Sequence, residues 1–399
     1  MPDVTALPKD ATIGVLGAGA MGSGIAQVAA TAGHQVMVTD VEAEALEKAS
    51  VRLGKILIKL VEKARMTPDE AEQLSQRITW APGAAGEFAI FRHCDLVVEA
   101  VAEDLGVKKT AFRGLEEVVD DRCILATNTS SLSVTAIAGA CKLPGRVVGL
   151  HFFNPPPQLP LVEVVPGLTT SPDTVATARD TVESWGKTPV TAADTPGFIV
   201  NRIARPFYGE ALRIFEEGIA DKPTIDWAMK ELGRFKMGPF ELMDMIGNDI
   251  NLAVTTSIFE AFHCDPRYKP SLTQQRLVAA NRLGWKTGLG HYEYRDEAVL
   301  PPPTSDPVVG KAVLDRILAM LINEAADALF WRIASRDDIE LAMSKGVNYP
   351  KGLLKWGDEI GLAEVLLRLT TLQEEYGEDR YRPSPLLRRM VRDGNRFYS

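Results

Sequence analysis

The sequence predicts an α/β, doubly wound amino-terminal domain followed by two tandem all-α domains. Three observations carry that expectation. Apolar strand runs alternate with helical segments up to about Pro196, after which only helical patterning remains. The most proline-rich stretch, Val299–Val308 (VLPPPTSDPV), reads as a linker. The helical segments before and after it repeat one another at a fixed spacing. The domains are accordingly expected at residues 1–195, 196–298 and 311–399, with the linker at 299–310.

Taken in order, Thr12–Gly17 (TIGVLG) is a buried-strand run, and Met21–Ala32 has the small apolar pattern of a close-packed helix. His34–Asp40 is a second strand and Glu42–Arg65 a long helix. Strand runs follow at Asp95–Val101, Cys123–Thr127 and Arg146–Phe153, with Leu161–Val165 behind them. Strands separated by helices predict a parallel sheet. Beyond Pro196 the repeat is read from pairs 114 residues apart, with no gap. Arg202-Ile203 matches Arg316-Ile317, Glu210-Ala211 matches Glu324-Ala325, and Ile225 to Met229 matches Ile339 to Met343. Gly238 matches Gly352, and Asp244 with Gly247 matches Asp358 with Gly361. Asn201 becomes Asp315, and Met237–Phe240 becomes Lys351–Leu354. The second copy is therefore expected to be degenerate and structural.

The composition, 46% hydrophobic and 24% charged over 399 residues, suits a globular chain of two or three domains. A net charge of −9 removes the diffuse basic field of a general nucleic-acid binder. No apolar run nears the ~18 residues of a membrane span. Met1 to Asp10 is short and polar, so no secretory signal is expected. Cys94, Cys123, Cys141 and Cys264 lack Cys-x-x-Cys spacing, and the histidines outside the candidate site form no ligand spacing, so neither disulfide nor metal is expected. A cytoplasmic protein without nucleic-acid or membrane partners is the expectation.

Gly17-Ala18-Gly19-Ala20-Met21-Gly22 is a GxGxxG between a strand and a helix, and Asp40 follows 18 residues after Gly22 at the end of the next strand. That is the context of a Rossmann-type dinucleotide site. Gly17 permits the tight turn, Gly19 the close approach of a pyrophosphate, and Gly22 helix–strand packing. Ala20 and Met21 open the helix whose free N–H groups would face the phosphates. Asp40 would accept bonds from ribose hydroxyls and repel a 2′-phosphate, which favours NAD over NADP.

Four segments look catalytic: Asn128–Ser131 at a strand end, His151–Pro155 (HFFNP), Glu163 within LVEVV, and Pro196–Arg202 (PGFIVNR). Oxidising a secondary alcohol needs a base for the hydroxyl proton, and an imidazole suits that role near neutral pH, so His151 is the candidate. Glu163, twelve residues on and across a turn, could bond the other ring nitrogen and fix the tautomer. Ser130 and Asn201 would hydrogen-bond the substrate oxygen.

In this order, after the glycine fingerprint, the segments resemble the L-3-hydroxyacyl-CoA dehydrogenase family over residues 11–295, through Lys286-Thr287-Gly288 and Tyr292-Glu293-Tyr294. The tandem helical unit resembles the longer members. No hydratase domain precedes Met1, so a dehydrogenase without that fusion is expected. The resemblance implies NAD-dependent oxidation of (S)-3-hydroxyacyl-CoA to 3-oxoacyl-CoA, and the reverse. It implies Ser130, His151, Glu163 and Asn201 as the catalytic set. It also puts Glu103, Lys108, Ser130, Asn154 and Lys286 at cofactor-contacting positions.

On the helix after Asp40, Lys48, Arg52, Lys55, Lys59 and Lys63 recur every three or four residues and line one face. In an acidic protein this stripe is a local site for the phosphates of CoA, with Lys59 and Lys63 the chosen candidates; an ordinary solvated face is the alternative. Pro156–Pro160 (PPQLP) and His291 depart from the family pattern and leave acyl-chain preference open among acetoacetyl, 3-oxoadipyl and longer chains. Two other readings stay open: a dehydrogenase of a free 3-hydroxy acid or carnitine-like substrate, and an inactive crystallin-like NAD-binding protein. The tandem unit is expected to cover a helical surface of the first, giving a monomer with an internal pseudo-dimer or a homodimer.

Overall fold

The computed structural model describes residues 6–83, 86–295 and 298–398, so the start of the Met1–Asp10 stretch lies outside the described residues. Two compact units divide the chain, Met1–Phe198 and Ile199–Ser399.

The first unit is a single eight-stranded sheet. Its strands are β1 (Thr12–Leu16), β2 (Gln35–Asp40), β3 (Ile78–Pro82), β4 (Leu96–Glu99), β5 (Ile124–Thr127), β6 (Val147–Phe152), β7 (Leu161–Pro166) and β8 (Thr188–Thr191). They lie in the order β3-β2-β1-β4-β5-β6-β7-β8. All neighbours are parallel except β6 and β7, which run antiparallel. This one pair departs from the parallel pattern for a physical reason. Residues 153–160 are too few for a parallel crossover, which takes about a dozen or more, so the chain turns back on itself. The strands β3 and β8 were not expected either. Each carries a proline (Pro82, Pro189) and each lies at an edge of the sheet, where a missing N–H is tolerated.

Alternation along the strands loads both faces. Ile13, Val15, Val36, Val38, Leu96 and Val98 enter one core with Ile25 and Ala29. Leu16, Val97, Leu125 and Val147 enter a second core with Phe91 and Phe112. A doubly wound sheet needs both. The helix α1 (Ala20–Thr31) follows β1, and α2 (Ala43–Glu62) follows β2. Leu46, Ala49, Leu53 and Leu57 make the buried face of α2, which leaves its lysines in solvent. Next come α3 (Pro68–Gln76), opened by a Thr67–Glu70 capping box, and α4 (Leu105–Glu116), capped by Asp104.

The second unit is helical, around the long segment Pro307–Phe330. The same carboxylate staples occur twice in it. Asp226 accepts from Phe240 N (2.9 Å) and Glu241 N (3.1 Å); Glu340 accepts from Leu354 N (2.8 Å) and Lys355 N (3.4 Å). Asp244 accepts from His291 N and Tyr292 N, and Asp358 accepts likewise from Phe397 N and Tyr398 N. A reciprocal grip joins the two segments. Glu324 receives Tyr268 Oη (2.7 Å) and Arg267 Nη1 (3.1 Å), with Arg202 Nε at 3.7 Å. Glu210 receives Tyr381 Oη (3.0 Å) and Arg316 Nε (3.0 Å), with Arg380 Nε at 3.9 Å. Each glutamate is thus held by two arginines and a tyrosine of the other segment, as across a two-fold axis. Asp315, at the position matching Asn201, is engaged by Lys311 and by Arg368 (3.1 Å).

Candidate active site

The glycine turn is shaped by close approaches. At Gly17 (φ +104°) a Cβ would lie 2.6 Å from Ala100 O, and at Gly22 it would lie 1.9 Å from Gly17 O. A Cβ on Gly19 would meet nothing within 4 Å. Gly19 and Ala20 are exposed at the amino end of α1, with Met21 half-buried behind them. Open space over free helix N–H groups fits a dinucleotide pyrophosphate. The Asp40 carboxylate accepts from Ala18 N (2.7 Å) and Glu42 N (2.9 Å), one on each oxygen. Each oxygen keeps a lone pair for a ribose hydroxyl.

The antiparallel return sets His151 and Glu163 directly opposite one another in the β6–β7 register. Nδ1 of His151 lies 2.6 Å from Oε2 of Glu163, and both side chains are buried. A carboxylate only accepts, so Nδ1 donates, and in the neutral ring the lone pair is then on Nε2. The rings of Phe153 and Phe198 flank the imidazole at centroid distances of 4.6 and 5.7 Å. Phe198 stands in the left-handed region (φ +46°), directly after Gly197 (φ +74°). Such strain in a bulky residue is characteristic of functional sites. Asn128 Oδ1 accepts from Phe152 N (2.9 Å), tying the end of β6 to the loop after β5.

That loop carries Ser130, and Glu103 holds it. The Glu103 carboxylate accepts from Thr129 Oγ1 (2.6 Å), Ser130 N (2.9 Å), Ser131 Oγ (3.0 Å) and Ser131 N (3.1 Å). Burial pushes its pKa up, but the Lys108 charge and these hydrogen bonds outweigh burial and leave it below the ordinary value. Lys108 itself is 1% exposed and lies between Glu103 (3.3 Å) and Glu99 (2.6 Å). Its ammonium meets two carboxylates, so the structure gives it a hold on Glu103 instead of an open face toward a ligand. Sequence reasoning missed Glu99; its only signal is an acid inside the apolar run DLVVEAV.

A cavity of about 830 Å³ opens within the first unit between α1, α2 and the proline loop, lined among others by Gln27, Arg52, Asn154 and Pro156. Lys187, also missed, pins that loop by donating to Pro156 O (2.5 Å) and Leu159 O (3.0 Å). Burial lowers its pKa. Of the basic stripe, Lys59 and Lys63 are exposed, and Lys48 is paired with Glu44 (2.7 Å). Asn201 and Lys286 belong to the second unit. Asn201 is on the helix Val200–Ile203, and Lys286 pairs with Asp249 at 2.6 Å. Among the described residues no cluster of three His, Cys, Asp or Glu could hold a metal, and no helix is long and apolar enough to cross a membrane.

Comparison with known proteins agrees with this geometry. Residues 12–195 match the model of the 3-hydroxyacyl-CoA dehydrogenase NAD-binding domain. Residues 197–294 and 313–396 each match the model of the carboxy-terminal domain of that family. A 3-hydroxyadipyl-CoA dehydrogenase of Escherichia coli K12 is 40% identical, covering 94% of this chain and 96% of its own. A 3-hydroxybutyryl-CoA dehydrogenase of Clostridioides difficile is 41% identical over 71% of this chain and 99% of its own. The crystal structure of a 3-hydroxybutyryl-CoA dehydrogenase from Escherichia coli K12 superposes with a TM-score of 0.89 at 38% identity, covering 96% of this chain and 99% of that one. With the glycine turn, the opposed His–Glu pair and two helical segments all falling inside these matches, the chain belongs to the 3-hydroxyacyl-CoA dehydrogenase family of NAD-dependent oxidoreductases.

Proposed function

We propose that the chain oxidises (S)-3-hydroxyacyl-CoA to 3-oxoacyl-CoA, and runs the reverse, with His151 as the base. The observation that carries this reading is the 2.6 Å His151–Glu163 pair, on the same carboxyl edge of the sheet as the Gly17–Gly22 turn. NAD, when bound, takes up the hydride that leaves the substrate carbon. The chain's own residues do the rest. Nε2 of His151 accepts the hydroxyl proton, and Glu163 fixes the tautomer and stabilises the imidazolium. The Ser130 hydroxyl donates to the substrate oxygen, where negative charge develops in the transition state. Gly17, Gly19, Ala20, Met21, Gly22 and Asp40 hold the dinucleotide, with Glu103, Ser130 and Asn154 toward its nicotinamide end; Lys108 acts through Glu103. The resemblance to the family extends the catalytic set to Asn201 and the cofactor set to Lys286.

For the CoA portion, Lys59 and Lys63 meet the phosphates, and the cavity beside Pro156 takes the pantetheine arm, which is amphipathic like the cavity lining. Segments 196–298 and 311–399 are two copies of one helical domain joined by 299–310. The repeated carboxylate staples support that division, and the ion-paired Asp315 supports a structural second copy.

The test is NADH oxidation with acetoacetyl-CoA, run beside free acetoacetate, 3-oxoadipyl-CoA and NADPH. Turnover that needs both NADH and a thioester supports the reading, and the two thioesters rank the acyl preference. Equal turnover of free acetoacetate would instead favour a dehydrogenase of free hydroxy acids. NADH binding without any turnover would favour the inactive form.

A further inference from the structure

The loop bearing Ser130 is held by a chain of buried charges that begins at Glu99. Glu99 ends β4 with 0% exposure, in register with Thr127 at the end of β5. Both of its oxygens are engaged. Oε1 accepts from Lys108 Nζ (2.6 Å) and Val101 N (2.8 Å), and Oε2 accepts from Thr127 Oγ1 (2.7 Å). The same Lys108 ammonium reaches Glu103 Oε2 at 3.3 Å. The other oxygen of Glu103 then gathers the loop, with four donors from Thr129, Ser130 and Ser131 between 2.6 and 3.1 Å. Ser130 Oγ donates to the same oxygen as well, but at 3.4 Å it makes the longest and weakest of these bonds.

A carboxylate oxygen has two lone pairs, so four shorter donors leave poor acceptor capacity for a fifth. The Ser130 hydroxyl hydrogen is thereby held only weakly on Glu103 and turns readily to a better acceptor. This economy depends on where the ammonium sits. Shared between two carboxylates, it holds Glu103 by one oxygen and leaves the other turned to the loop. Were Glu99 uncharged, the ammonium would close on Glu103, the carboxylate would rotate, and the Ser130 hydroxyl would fall onto it.

We propose that Glu99 is a positioning residue: through Lys108 and Glu103 it holds the Thr129–Ser131 loop so that the Ser130 hydroxyl is left to donate to the substrate oxygen. This rests on the reading of Ser130 given above, and the experiment separates the two.

Steady-state kinetics with acetoacetyl-CoA and NADH are measured for the parent, Glu99→Gln, Ser131→Ala, Ser131→Thr and Ser130→Ala, with active sites counted by NADH fluorescence titration. Losing one well-placed donor to a developing oxyanion costs about 10²–10³ in kcat, and partial misplacement costs less, so Glu99→Gln is expected to lower kcat per NADH site at least ~10-fold and Ser131→Ala ~3–10-fold. KM for acetoacetyl-CoA and the Kd for NADH stay near the parent values. Ser131→Thr, which keeps the hydroxyl on Glu103, restores kcat. A role in folding alone would reduce the number of NADH sites and leave kcat per site unchanged. That result in Glu99→Gln overturns the proposal, whatever Ser131→Ala does. If Glu99→Gln does not fold, Glu99→Asp is measured in its place, because it keeps the buried charge and withdraws the carboxylate from Lys108; parent-like kcat per site there overturns the proposal. Parent-like turnover in Ser130→Ala would remove Ser130 from the chemistry. A large loss there with none in the other two variants would defeat only the positioning role of Glu99.

Discussion

Nδ1 of His151 is spoken for by Glu163, so the chemistry of the ring is confined to Nε2. Replacing His151 with alanine deletes the base and leaves the glycine turn, Asp40 and the Ser130 loop in place. Turnover is expected to fall by ~10² or more, with NADH affinity within about twofold of the parent. Rates at saturating substrate together with fluorescence titration of NADH check both halves, and parent-like turnover would remove His151 from its role. At this scale the sequence is partly legible. A histidine and a glutamate twelve apart in apolar runs invite pairing, yet only the antiparallel register sets them opposite each other. Glu99 and Lys187 are not legible as site residues, because their meaning comes from partners on other elements: Thr127 and Lys108 for one, two loop carbonyls for the other.

Elements meet most tightly where a side chain is missing. A Cβ on Gly24 in α1 would lie 2.7 Å from Cδ and 2.9 Å from Cγ of Pro156, both held in a rigid ring. Gly24→Ala therefore has to displace the proline loop that follows the catalytic strand. Overpacking of this kind costs ~1–3 kcal/mol, which a lowered urea midpoint would show, and KM for acetoacetyl-CoA should rise with it. An unchanged midpoint and KM would mean that the loop moves freely. The closing loop of the first helical segment responds to pH instead. His291 is buried against Phe240 (4.8 Å between ring centroids), with no hydrogen-bond partner for either ring nitrogen among the described residues. Burial, followed by the charges of Lys222 and Arg282, pushes its pKa down to about 3. The folded ring resists protonation while the unfolded ring protonates near 6.5, so stability is lost as pH falls below about 6.5. The loss approaches ~1.4 kcal/mol per pH unit at its steepest. His291→Phe keeps the aromatic contact and removes the titration. Urea midpoints at pH 7.5 and 4.5 should fall less in the variant than in the parent, and equal falls would rule out the imidazole as the cause.

Across the whole molecule, the clearest sequence signal was the constant spacing of 114 residues, because it runs through glycines and acids that have fixed backbone duties. Asp226 and Glu340 each staple the start of the next helix, and a Cβ on Gly238 or Gly352 would collide with that carboxylate. The sheet was legible where a strand had an apolar centre, such as ILAT or VVGLHF; β3 (ITWAP) and β8 (TPVT) were not, being polar, proline-bearing edges. The reciprocal grip could not be read at all, since it pairs residues up to 171 positions apart. It predicts the outcome of truncation. A fragment of residues 1–295 would leave Glu210, Arg202 and Arg267 without the partners they have across the repeat, though each is less than 10% exposed in the intact chain. The cut also uncovers the apolar surface packed there, Phe207 and Phe235 against Tyr349 and Trp356, so the fragment is expected to aggregate or to recruit a second copy of itself on size-exclusion chromatography. A soluble, monomeric and fully active fragment would refute the expectation.

Joining the two gripping segments through one short proline-rich connection also has a kinetic meaning. Separate subunits come apart on dilution, whereas tethered ones see each other at an effective concentration on the order of millimolar whatever the abundance of the protein. The grip between Glu210 and Glu324 and their arginines therefore reforms at a rate independent of expression level. A catalyst needed only in trace amounts keeps its architecture at any copy number, and its second segment is free to give up the amide at Asp315 without forfeiting the scaffold.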